Sequence, residues 1–162
     1  VFGTHNRLLS LGPETYLEVI AIDPDAPPPG RPRWFDLDRF AGPPRLVHWV
    51  ARVPDLDRAR AATAGLDEVL ELSRGVHAWR FAGTADGRLP GDGVHPALIE
   101  WRSALPGAGL PDAGCRLRRL ELRHPDPAVR DALPRGDPRV SVAPGLPRIS
   151  ALVATPSGDV WL

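Results

Sequence analysis

The chain has 162 residues, 43% hydrophobic and 25% charged, and its 20 basic side chains are balanced by 20 acidic ones. That length and composition predict one soluble domain with a core of ordinary size and exclude a disordered chain, while the neutral balance offers no field for a nucleic-acid backbone or an anionic membrane. No apolar run approaches the roughly 20 residues of a spanning helix, and VFGTHNRLL lacks the form of a signal peptide, so a cytoplasmic protein without nucleic-acid or membrane partners is expected.

In chain order, Thr4 to Gly12 and Thr15 to Ile22 read as a hairpin, apolar and β-branched on either side of Leu-Gly-Pro-Glu. In its second strand Tyr16, Glu18 and Ile20 share one face, because side chains alternate with period two. Residues 23–44 carry seven prolines around the Trp34-Phe35 pair and cannot propagate a helix or a central strand. They predict a linker anchored by its aromatics. Arg45 to Val53 reads as a strand, and Pro54-Asp55 opens a short helix capped by Asp55, with Leu56, Ala59, Ala62 and Thr63 along its inner face. Val69–Ser73, Val76–Ala82 and His95–Arg102 read as three more strands, the last two separated by TADGRLPGDG, which makes residues 45–103 a βαβββ module. Beyond it, Cys115 to Arg123 alternates as a strand, Pro127 to Leu133 as a short helix, and RISALVATPSGDVWL as a hairpin adding strands to a sheet. The fold class is α+β with the sheet dominant. Cys115, the one cysteine, reads as a small buried residue; it can form no intrachain disulfide and no thiolate cluster, so any metal needs His and carboxylate ligands.

Three polar residues sit in mid-strand: Glu18 in YLEVI, His48 in LVHWV and Glu100 in LIEWR. A buried carboxylate without a partner is costly, so three such exceptions in separate strands point to one polar pocket. One imidazole and two carboxylates make a hard or borderline divalent-metal set, suited to Zn, Fe, Mn or Ni, with positions open for substrate oxygens. Taken singly, each also reads as an ordinary core or solvent-facing residue. His5 and Asn6 lie beside Glu18 in the expected hairpin. Trp79, with His77 and Phe81 on its face, forms an apolar wall, and Arg80 or Arg74 suits an anionic substrate or simply water. The loop RLPGDGVHP is placed to cover a cavity mouth. Gly91 and Gly93 make no phosphate loop, and Ser10, Ser73 and Ser103 lack a nucleophile elbow.

Together, GTHNRLLSLGPETYLEVIAIDPD, LVHWVARVPDLDRA, ELSRGVHAWRF, GRLPGDGVHPALIEW and RLRRLELRHPDP resemble the glyoxalase-like domains of the vicinal oxygen chelate superfamily. The resemblance implies βαβββ modules forming a curved mixed sheet around a cavity, with metal ligands on the first and fourth strands of each. Mapped here, Glu18 matches the fourth strand of the first module, His48 the first strand of the second and Glu100 its fourth. The first module is incomplete: residues 1–22 match only its end, its first-strand ligand has no counterpart, and sequence upstream of Val1 is expected. Residues 104–162 form a C-terminal extension. A half-built module exposes a sheet edge, and side-by-side or swapped dimers are common in the superfamily, so a homodimer is expected.

By this resemblance the leading expectation is a lyase or isomerase acting on a small, vicinally oxygenated substrate through a divalent ion held by Glu18, His48 and Glu100. Glu100 doubles as the proton-transfer base, and His5, Asn6, Tyr16, Trp79 and Arg80 line the substrate pocket. No nucleotide cofactor is expected. The alternative is a metal-free protein of the same fold that sequesters a small aromatic ligand against Trp79, Tyr16, Trp34 or Trp49; a third reading is a degenerate module without activity of its own.

Overall fold

A computed structural model describes residues 1–162. Ten strands and two short helices form three separate sheets. The first is the hairpin of β1 (Thr4–Ser10) and β2 (Tyr16–Ile22), paired antiparallel from Thr4 with Ile22 to Ser10 with Tyr16. This places Asn6, Leu8, Tyr16, Glu18 and Ile20 on one face and His5, Arg7, Leu9, Val19 and Ala21 on the other.

The second sheet joins β3 (Val50–Arg52), β4 (Glu68–Arg74), β5 (His77–Gly83) and β6 (Ala97–Trp101) in the order β3-β6-β5-β4. β3 runs parallel to β6 and the other pairs are antiparallel, so with α1 (Leu56–Ala61) this is the expected βαβββ unit. The Asp55 carboxylate caps α1 by accepting from Arg58 N–H. Leu56 and Ala59 pack with Leu66, Ala82 and Leu98 against one face of the sheet. Ala62 falls at the helix end and is exposed, and Thr63 bonds back to the Ala59 carbonyl.

The expected strand from Arg45 shortens to three residues for a local reason. Along 46–49 the chain is tied to residues 93–97 by side chains rather than by a ladder: Trp49 Nε1–H donates to Val94 O at 2.8 Å and His48 bonds both Gly93 and Ala97.

The third sheet comprises β7 (Arg116–Arg123), β8 (Val140–Ala143), β9 (Arg148–Thr155) and β10 (Gly158–Trp161), in the order β10-β9-β7-β8. α2 (Pro127–Ala132) connects the parallel pair β7 and β8. This order puts the first strand in the middle, unlike the second sheet. The tail therefore builds its own sheet instead of extending another, and it packs Leu120, Leu122, Leu133, Ile149 and Ala151 around Val94. Cys115 is buried with Leu11 and Val153 where the hairpin meets the tail.

The fold is thus α+β with mixed sheets, but these do not join into one curved sheet around an enclosed cavity. What lies between the hairpin and the second sheet is an open cleft.

The proline-rich residues 23–44 hold only a single helical turn, Trp34–Asp36. Phe35 and Asp36 both adopt left-handed backbone at φ 57°, which costs a bulky L-residue on the order of 1 kcal/mol each. The turn is held by Asp36 N–H donating to Gly87 O at 2.8 Å and by aromatic packing. Trp34 stacks on Phe2 at 4.2 Å and meets the edge of Phe81 at 5.6 Å.

Candidate functional site

In the second sheet the register sorts every side chain to one of two faces. Leu72, Trp79 and Trp101 form one row across the open face, and Leu70, Phe81 and Ile99 the next. Ala51, Ala82, Leu98, Arg80 and Glu100 belong to the opposite face, beneath α1.

The hairpin and the Trp34 turn stand over part of the open face, leaving a cleft of about 230 Å³ walled by Phe2, Trp34, Leu72 and Trp79, with Arg74 and Asp23 as its charged side chains and Val1 at its margin. A second, separate space of about 20 Å³ lies among Phe35, His48 and Phe81, with Phe2 and Trp34 in both linings, and has room for little more than a water.

The three expected metal ligands occupy three different settings. Glu18 lies on the inner face of the hairpin, where its Oε1 accepts from Asn6 Nδ2 at 2.5 Å. His48 lies at the foot of the aromatic cluster, its ring 5.5 Å from that of Phe35. Its Nε2 accepts the Ala97 N–H at 3.2 Å, so Nδ1 carries the proton and donates to Gly93 O at 3.3 Å. Burial pushes the imidazole down to about 4, against the support of Gly93, so the ring is neutral and both nitrogens are committed.

Glu100 is buried on the helix face. There it accepts the Leu56 N–H at 3.0 Å and pairs with Arg102 at 2.8 Å and Arg80 at 3.4 Å. It satisfies the start of α1 and compensates two guanidinium groups. No group of three His, Cys, Asp or Glu side chains converges anywhere in the fold to hold a metal. The residues present therefore do not fit the expected ion: one donor has no free nitrogen, and another projects through the opposite side of the sheet.

The expected substrate-binding residues divide in the same way. Trp79 walls the cleft, and Asn6 stands next to it through Arg74, whose Nη1 donates to Asn6 Oδ1 at 3.0 Å. His5 is exposed on the far face of the hairpin, opposite Ala21. Tyr16 shares the face of Glu18 but lies at the turn end of the hairpin, close to Gly107; burial and the Glu18 charge push its hydroxyl up to about 12. Arg80 is on the helix face, held by both oxygens of Asp57 at 2.9 Å and by Glu71 at 3.0 Å. Phe2 and Asp23 line the cleft without a signal in the sequence beyond Phe2's aromaticity, since only the fold brings the chain start and the first residue after β2 against β4.

No helix is long and apolar enough to cross a membrane. Neither the curated proteins nor the solved structures include a match to the chain. The family model of the glyoxalase-like domain matches residues 1–135, from the hairpin through the second sheet to the helix of the tail. With the βαβββ order of the second sheet already established, the chain belongs to the glyoxalase-like domain family of the vicinal oxygen chelate superfamily.

Proposed function

We propose that this glyoxalase-like protein binds a small aromatic molecule, without a metal, in the cleft between the hairpin, the Trp34 turn and the open face of the second sheet. The observation that carries the reading is the cleft wall itself. Phe2, Trp34 and Trp79 present aromatic surface to an open space of about 230 Å³, beside the side chains of Arg74 and Asp23, the usual mixture of apolar wall and few polar groups in a ligand site. The Trp34 turn carries strained left-handed backbone at Phe35 and Asp36, and backbone strain of that kind concentrates at ligand clamps.

The test is a titration of the purified chain with single-ring aromatic compounds, followed by the indole N–H signals of the five tryptophans in ¹H–¹⁵N NMR spectra. Shifts confined to Trp34 and Trp79, lost in Trp79→Ala, support the reading. Shifts at Trp49 and Trp161 instead sink it.

A metal-dependent lyase or isomerase reading rests on family membership. It requires Glu100 to leave Leu56 and both arginines and cross to the other face of the sheet. Metal analysis of the wild type beside His48→Ala and Glu100→Ala separates the two readings: stoichiometric metal lost in both variants favours the ion.

A homodimer is the proposed assembly, through the outer edge of β2. β2 pairs with β1 alone, and its Val19 is 59% exposed. Sedimentation of the wild type and Val19→Lys checks this: the variant is expected to be monomeric.

A further inference from the structure

Glu18, Asn6 and Arg74 form a chain of contacts from the hairpin to β4. A carboxylate only accepts hydrogen bonds, so the Asn6 NH₂ must face Glu18 and its Oδ1 must face Arg74. Arg74 therefore finds an acceptor of fixed orientation at Nη1, and Nη2 donates to the Thr4 carbonyl at 3.4 Å.

Both partners of this guanidinium are neutral. No carboxylate lies within 4.0 Å of it, whereas Arg80 on the other face meets Asp57, Glu71 and Glu100. Arg74 is exposed, and three of its five N–H donors make no bond within the protein, facing solvent at the wall of the aromatic cleft. Asp23, the acidic group of the same lining, makes no ion pair with Arg74, and its Oδ1 accepts Asp25 N–H at 3.0 Å.

We propose that the cleft takes an aromatic monocarboxylate, its ring against Trp34 and Trp79 and its carboxylate on Arg74, with Glu18 and Asn6 as positioning residues for the guanidinium. The inference rests on the cleft being a small-molecule site and adds the chemistry of the ligand. A planar fork of N–H donors matches a carboxylate, and charge-assisted bonds are the strong ones. The single guanidinium fork of Arg74, set beside the Asp23 carboxylate, offers its paired donors to one carboxylate of a ligand. The same contacts give Glu18 a task that needs no ion: its charge decides which end of the Asn6 amide meets Arg74.

The experiment titrates the full ¹⁵N-labelled chain with benzoate and with benzamide, its neutral isostere, and reads the Trp34 and Trp79 indole signals. Benzoate is expected to bind roughly ten-fold tighter than benzamide, the difference that one charge-assisted hydrogen bond confers. Arg74→Gln should bring benzoate down to the benzamide level and leave benzamide unchanged. Glu18→Gln, whose amide no longer fixes Asn6, should weaken benzoate several-fold without touching benzamide, a split that a general loss of structure would not produce.

Equal binding of the two compounds, or a preference that survives Arg74→Gln, overturns the carboxylate assignment while the aromatic cleft stands. Undiminished benzoate binding by Glu18→Gln overturns the positioning role. If neither compound shifts either indole signal, the cleft reading fails and this inference fails with it.

Discussion

His48 is held by two backbone groups at once, and the consequence is a pH dependence of folding. Burial disfavours the charged ring and pushes it down to about 4 from an ordinary value of 6.5, and protonating Nε2 would in addition break the bond from Ala97 N–H. As pH falls, the unfolded chain takes up this proton first. Stability from this residue is complete above about pH 6.5, declines as pH approaches 4 and levels off below, with a total on the order of 3 kcal/mol. Urea denaturation at a series of pH values should show this slope, flattened in His48→Gln, whose amide keeps a donor and an acceptor but does not titrate. At Glu100 the comparison of two variants is informative. Glu100→Ala leaves the Leu56 N–H and part of two arginines without their acceptor in a buried position, and should cost about 2–4 kcal/mol in urea denaturation. Glu100→Gln keeps an oxygen for Leu56 and should cost less than half of that.

At the scale of elements, the Trp34 turn depends on a glycine in another loop. Gly87 has φ +74°, and a Cβ there would collide with the Arg33 carbonyl, one residue before the turn; its own carbonyl accepts the Asp36 N–H. Gly87→Ala should therefore cost about 3 kcal/mol, measured as a fall in the denaturation midpoint, and should weaken any aromatic ligand of the cleft by displacing Trp34. Much at this scale was legible in the sequence. The two hairpins, the Asp55 cap, the βαβββ order and the Trp34-Phe35 anchor all follow from alternation, turn residues and the position of Pro, which are local signals. β8 was not legible: Val-Ser-Val-Ala between two proline-bearing turns is too short to declare itself, and it pairs because β7 presents a free edge. The site was only half legible. Of the two residues expected beside Glu18, Asn6 meets it while His5 lies on the other face of the hairpin, and Trp79 faces the cleft. Glu100 and His48 separate because period two sends Glu100 with Leu98 to the helix face, a result that depends on which face α1 covers and so lies beyond any single strand.

The whole molecule is three sheets with separate core clusters, joined by few long elements: the hairpin meets the tail at Leu11, Cys115 and Val153, and the second module reaches the tail core through Val94 and Trp49. Charge is handled similarly, by local pairs and small networks rather than by a field, so the overall neutrality conceals sites such as Arg74 where one sign is left over.

The parallel pairing of β3 with β6 has a consequence in time. β4, β5 and β6 follow one another by hairpins and can close early, whereas β3 must return across the helix and both hairpins to reach β6, at the outer margin and over three residue pairs. Loop closure over that span is entropically late, and a short marginal strand is the first to reopen. Hydrogen exchange under native conditions should therefore release the β3 amides well before those of β5. Since residues 46–49 run directly into β3, each such opening would also loosen His48 and Trp49, making the slow breathing of one edge the event that admits solvent beneath the aromatic cluster.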